Sequence, residues 1–148
     1  MGTSWVGVGE HGFWLNDGHC ELLLHFLANE VDRHPAPAPW LVKAGKHWRS
    51  WSLAKATGCI DFGLDQFMTT PDRAQELLTL VKAIRRSIRK RRTPLSEEVG
   101  RRPNSTLPYQ FVGDIPRDWF LQAIDALSDL LTGKLKTTAA TSPRLPVH

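Results

Sequence analysis

Cysteine is scarce: only Cys20 and Cys59 occur. Their spacing fits neither a zinc motif nor a disulfide scaffold, which points to reduced thiols in a cytosol. No HExxH is present, and no two histidines have the four-residue helical spacing that would put both on one metal. A Walker loop and a GxSxG elbow are absent too. The longest apolar stretch, around Leu22 to Ala28, is far too short to span a bilayer, so no membrane contact is expected. The N-terminus lacks the positive region and apolar run of a signal peptide, and a cytoplasmic protein is expected. No segment alternates convincingly as a strand, and only short extended pieces around Val6 and Phe111 are left open. No internal repeat is visible.

What is present is helical and unevenly charged. The 148 residues suffice for one compact domain, and six tryptophans supply large apolar area. The net charge of +4 hides an asymmetry: residues 1–70 hold five Lys/Arg against seven Asp/Glu, residues 71–110 hold ten against four, and the remainder balances four against four. The basic character therefore belongs to one helix and the loop after it, which favours a local patch over a general nucleic-acid coat.

The helices follow from periodicity. After a Gly-rich arm over 1–12, Asn16 or Asp17 can cap a helix from about Gly18 to Arg33. Its apolar residues cover most of its circumference, which marks it as central. The run HPAPAP, residues 34–39, cannot continue a helix. A second helix is expected from about Pro39 to Thr57, stopped by Gly58, with a short helical piece before Thr69. The stretch Thr70 to Arg92 is the organising element. Thr70 is its N-cap, Pro71 its first helical residue, and Ala74, Leu77, Val81, Ile84 and Ile88 form its apolar stripe. Lys82, Arg85, Arg86, Arg89 and Lys90 fall beside or behind that stripe. Residues 93–109 form a polar loop long enough to be mobile or functional, and Arg101 and Arg102 extend the patch onto it. The last helix is capped by Asp114, carries Pro116 in its first turn and closes at Gly133. Asp118, Gln122, Asp125 and Asp129 occupy its polar face. The expected fold is all-α, a bundle of four main helices plus short pieces over 1–136, with 137–148 a disordered tail.

Each candidate chemistry has a plainer reading. Arg85, Arg86, Arg89, Lys90, Arg101 and Arg102 could contact phosphates with strong salt dependence. Yet no helix-turn-helix pairing or interleaved stacking aromatics accompany them, and a solvated helix end or a protein contact outweighs nucleic acid. His19 and Cys20 could form a nucleophile pair, but HCELLLHFL reads as core. Asp61, Asp65, Asp114 and Asp118 lie where carboxylates cap helices and turns. No catalytic residue, metal or cofactor is assigned.

Three stretches, GFWLNDGHCELLLHFLA, GCIDFGLDQFMTTPDRAQELL and FVGDIPRDWFLQAIDALSDLLTGKL, in this order resemble a family of small helical bacterial proteins associated with toxin–immunity loci. The shared features are apolar anchors, glycines and caps. The resemblance implies a non-catalytic immunity-type protein that binds and neutralises a cognate protein toxin. In that role Arg85, Arg86, Arg89, Lys90, Arg101 and Arg102 would meet an acidic toxin surface. The acidic face of the last helix is the alternative contact for a basic one. The competing expectation is a nucleic-acid-binding module using the basic helix over 82–92.

Overall fold

The computed structural model describes residues 2–95, 97–98 and 115–147. Its elements are β1 (Thr3–Val8), β2 (His11–Asn16), α1 (Asp17–Arg33), α2 (Pro39–Leu53), α3 (Leu64–Phe67), α4 (Pro71–Lys90), α5 (Arg117–Leu131) and β3 (Arg144–Leu145). The fold is mixed: helices pack beside a three-stranded sheet of order β1-β2-β3, and the all-α expectation is overturned.

The error lies in the stretch read as a loose arm. β1 and β2 pair antiparallel with Val8 opposite His11, so Gly9 and Glu10 alone make the turn. Gly9 has φ +60°, as the first position of a tight hairpin turn requires. Ser4, Val6, Phe13 and Leu15 point into the core. Trp5 and Trp14 are cross-strand partners on the other face, their ring centroids 5.2 Å apart. Gly7 and Gly12 sit opposite each other, and a Cβ on either would run into the Trp5 indole. These glycines hide the alternation in the sequence, yet they let the ring approach the backbone.

The expected tail is also corrected, since residues 137–147 are tied down. β3 pairs parallel with β2, Trp14 opposite Arg144 and Leu15 opposite Leu145. Gly12 N donates to Thr137 O at 2.9 Å, and Thr137 Oγ1 donates back to Gly12 O at 2.7 Å. Trp14 Nε1 donates to Ala139 O at 2.8 Å, and Gln122 on α5 holds the Val147 backbone in both directions, at 2.9 and 2.8 Å. Composition misled here because these bonds use mostly backbone groups, which every sequence carries.

The helices form for the reasons their sequences give. Asn16 caps α1, its side chain accepting from Gly18 N at 2.9 Å. Every residue from Asp17 to Ala28 is buried, so α1 is the central rod. Each of its leucines contributes about 1.5–3 kcal/mol by burial. α2 packs closely on α1 at Gly45, where a Cβ would sit 2.9 Å from Val31 Cγ1. It ends at Leu53, short of the expected Thr57, and Lys55 then turns to φ +54°. In α4, Thr70 Oγ1 accepts from Arg73 N at 3.3 Å, and Leu77, Val81, Ile84 and Ile88 are buried. Ala74 is only half-buried.

α5 takes Pro116 as its N-cap, and Asp114 lies outside the described residues. Gly133, at φ +75°, closes the helix: its N–H bonds to Leu130 O at 3.2 Å and that of Lys134 to Asp129 O at 2.9 Å. α4 and α5 run antiparallel, for Arg117 at the start of α5 donates to the carbonyls of Arg89 and Arg91 at the end of α4. The buried side chains of strands and helices join in one cluster. No described helix is long and apolar enough to cross a membrane.

Candidate functional site

The cations of α4 divide into those already engaged and those facing outward. Arg85 is half-exposed, and its Nε donates to Asp125 Oδ1 on α5 at 2.7 Å. That bond and the aspartate's charge raise the Arg85 pKa, so it stays cationic throughout the accessible range. Lys82, Arg86, Arg89 and Lys90 are exposed on consecutive turns and form no ion pair among the described residues. Asp118, Asp125 and Asp129 are exposed on α5. The surface across α4 and α5 therefore carries both signs. Arg101, Arg102 and the loop from residue 99 to 109 lie outside the described residues, so the patch is built here from Arg85, Arg86, Arg89 and Lys90 alone.

A second polar cluster joins α1, α2 and the segment after α4, and sequence reading passed over it. Arg49 on α2 donates through NH1 to His25 Nδ1 at 3.0 Å and through NH2 to Asn29 Oδ1 at 2.5 Å, both on α1. A guanidinium only donates, so the His25 ring proton belongs on Nε2, which gives it to Glu98 Oε2 at 3.2 Å. Arg91 NH1 donates to the other oxygen, Glu98 Oε1, at 3.0 Å. The Arg91 and Glu98 side chains are each 14 % exposed, which makes their pairing a structural requirement. Burial alone would raise the Glu98 carboxyl. Hydrogen bonds from Arg91 and His25, together with the charge of Arg91, outweigh it and hold the group below its ordinary value. The only sequence signal for this cluster was a histidine and an asparagine one turn apart on an otherwise apolar helix.

The remaining candidates are spread through the fold. Cys20 is buried, with Sγ 3.6 Å from Leu15 O. Burial first, then the charges of Asp17 and Glu21, push its thiol well above the ordinary value, the reverse of what a nucleophile needs. His19 stacks on Phe120 at 6.2 Å. His47 Nε2 donates to Asp61 O at 2.9 Å. Cys59 is exposed. Asp61 holds its own turn as expected, accepting from Gly63 N at 2.8 Å, whereas Asp65 accepts from the distant hairpin backbone at Gly9 N, 2.7 Å away. Asp17 is buried and ties three segments together: Oδ1 accepts from Ser4 Oγ at 2.5 Å and Oδ2 from Gly58 N at 2.7 Å, while Ser4 Oγ accepts from Ile60 N at 3.0 Å.

Gly7, Gly9 and Gly12 spell GxGxxG, a spacing that sequence reading overlooked. It forms the hairpin turn between antiparallel strands, not the strand-to-helix turn that cradles a pyrophosphate, so it has no helix N-terminus to offer. Among the described residues, no three or more His, Cys, Asp or Glu side chains converge on a metal position.

Comparison of the chain with protein-family models, curated proteins and solved structures gives no match, so the functional reading rests on the geometry of these surfaces.

Proposed function

We propose that the chain is a non-catalytic immunity-type protein that binds and neutralises a cognate protein toxin through the outer face of α4 and α5. The observation that carries this reading is the mixed sign of that face. Arg86, Arg89 and Lys90 are exposed on one helix, and Asp118, Asp125 and Asp129 on the antiparallel neighbour. A nucleic-acid backbone is uniformly negative and would be repelled by the aspartate row, whereas a folded protein can match a two-signed surface and gain register from it. Arginine on a rigid helix is also a favoured contact residue at protein interfaces. The expected partner surface is acidic opposite α4.

The test is co-expression with a secreted toxin domain encoded beside this chain. A stable complex and protection of the host are expected, and Arg86→Glu combined with Arg89→Glu should weaken the complex at least tenfold by placing like charges together. No complex and no protection would end the proposal. An electrophoretic shift series with duplex and single-stranded probes should show no salt-sensitive binding.

A further inference from the structure

A concave site of about 570 Å³ opens where the end of α1 meets α2. Its volume falls within the range of small-molecule sites, about 300–1,000 Å³. Val31, Pro37 and Val42 give it an apolar lining, and Asp32, Lys46 and Arg49 bring charge to its wall. Val42 is 38 % exposed, although large apolar side chains elsewhere among the described residues are almost all covered.

Arg49 is oriented from behind. His25 Nδ1 and Asn29 Oδ1 accept from it at 3.0 and 2.5 Å. Both acceptors are neutral, so they fix the guanidinium fork without cancelling its charge. The carboxylate facing it on the pocket side is Asp32, 3.3 Å away with its side chain 75 % exposed, and such a solvated pair is weak and replaceable. Lys46 is exposed and makes no ion pair among the described residues. A held arginine, a free lysine and an apolar floor suit an anion with a greasy body better than either a bare phosphate or a neutral hydrocarbon.

We propose that this pocket binds a small-molecule carboxylate carried on an apolar body. Arg49 and Lys46 take the carboxylate, and Val31, Pro37 and Val42 receive the apolar part. The site lies on α1 and α2, apart from the α4–α5 face, and stands or falls independently of toxin binding.

The experiment is an amide-resolved NMR titration of the full chain with phenylbutyrate, run beside its uncharged amide, phenylbutanamide. Saturable shifts are expected at Val31, Lys46, Arg49 and Ser50, with the amide about tenfold weaker because a charge-assisted bond is lost. Lys46→Gln, an exposed position that leaves the fold intact, should weaken phenylbutyrate about threefold. Asp32→Asn should tighten it by about the same factor, because the competing carboxylate is gone. A purely structural Arg49–Asp32 pair would not produce that gain. Equal binding of acid and amide, shifts scattered away from the pocket, no saturable shift, or weaker binding by Asp32→Asn would overturn the proposal.

Discussion

Arg86 and Arg91 stand little more than a turn apart in sequence, and their fates are opposite. Arg86 projects from α4 into solvent, unpaired among the described residues. Arg91, just past the helix end, is 14 % exposed and clamped on Glu98, which in turn holds His25. Identical chemistry thus stands open to solvent in one place and serves cohesion in the other, and burial decides which. A count of arginines along this stretch overstates the charge open to a partner, since Arg85 is taken by Asp125 and Arg91 by Glu98. The interior groups should dominate stability and the outward ones should barely touch it.

That contrast can be broken by substitution. The largest loss is expected at Asp17, whose removal leaves the Ser4 hydroxyl and Gly58 N–H without their buried acceptor. Asp17→Ala should cost about 3 kcal/mol in urea unfolding, and an unchanged midpoint would show the knot to be ornamental. Next comes Arg91→Ala, which takes the Arg91 donor from the Glu98 carboxylate and should cost about 2 kcal/mol.

The acid limb follows in size. Glu98 is depressed on folding, so its contribution is fully present above its ordinary value of 4.5 and is lost as pH falls through the lower folded value. Stability measured downward from pH 4.5 should therefore fall, and Glu98→Gln should flatten part of that slope. A slope identical in the variant would assign the acid sensitivity elsewhere. Smallest of all, Arg86→Ala or Lys90→Ala should shift stability by no more than about 0.5 kcal/mol. A larger loss at either would mean that the outward cations are structural after all, and would blunt the contrast.

The sequence told most where a single side chain reports its surroundings at fixed spacing. The stripe of Leu77, Val81, Ile84 and Ile88, the all-round apolar character of α1, the start at Thr70 and the stop at Gly133 all depend on residues a few positions apart. The hairpin was illegible because Gly7 and Gly12 occupy its pleat and because Trp5 and Trp14, two large apolar side chains, face outward across it. The polar cluster was illegible for a different reason. His25 and Glu98 are 73 positions apart, and nothing local to either announces the other. The basic face fell between these cases: its side of α4 was readable, but the engagement of Arg85 by Asp125 needed the antiparallel docking of α5. Arg101 and Arg102 lie outside the described residues.

The short run Arg144–Leu145 has an effect out of proportion to its length. A hairpin strand with an open flank offers a row of backbone donors and acceptors on which any foreign chain can zip. Here the molecule fills the flank of β2 with its own segment, held by Thr137, Ala139 and Gln122. Trimming or displacing that segment would uncover a sticky seam, and self-association through it, rather than unfolding, is the hazard to watch when a tag is fused there.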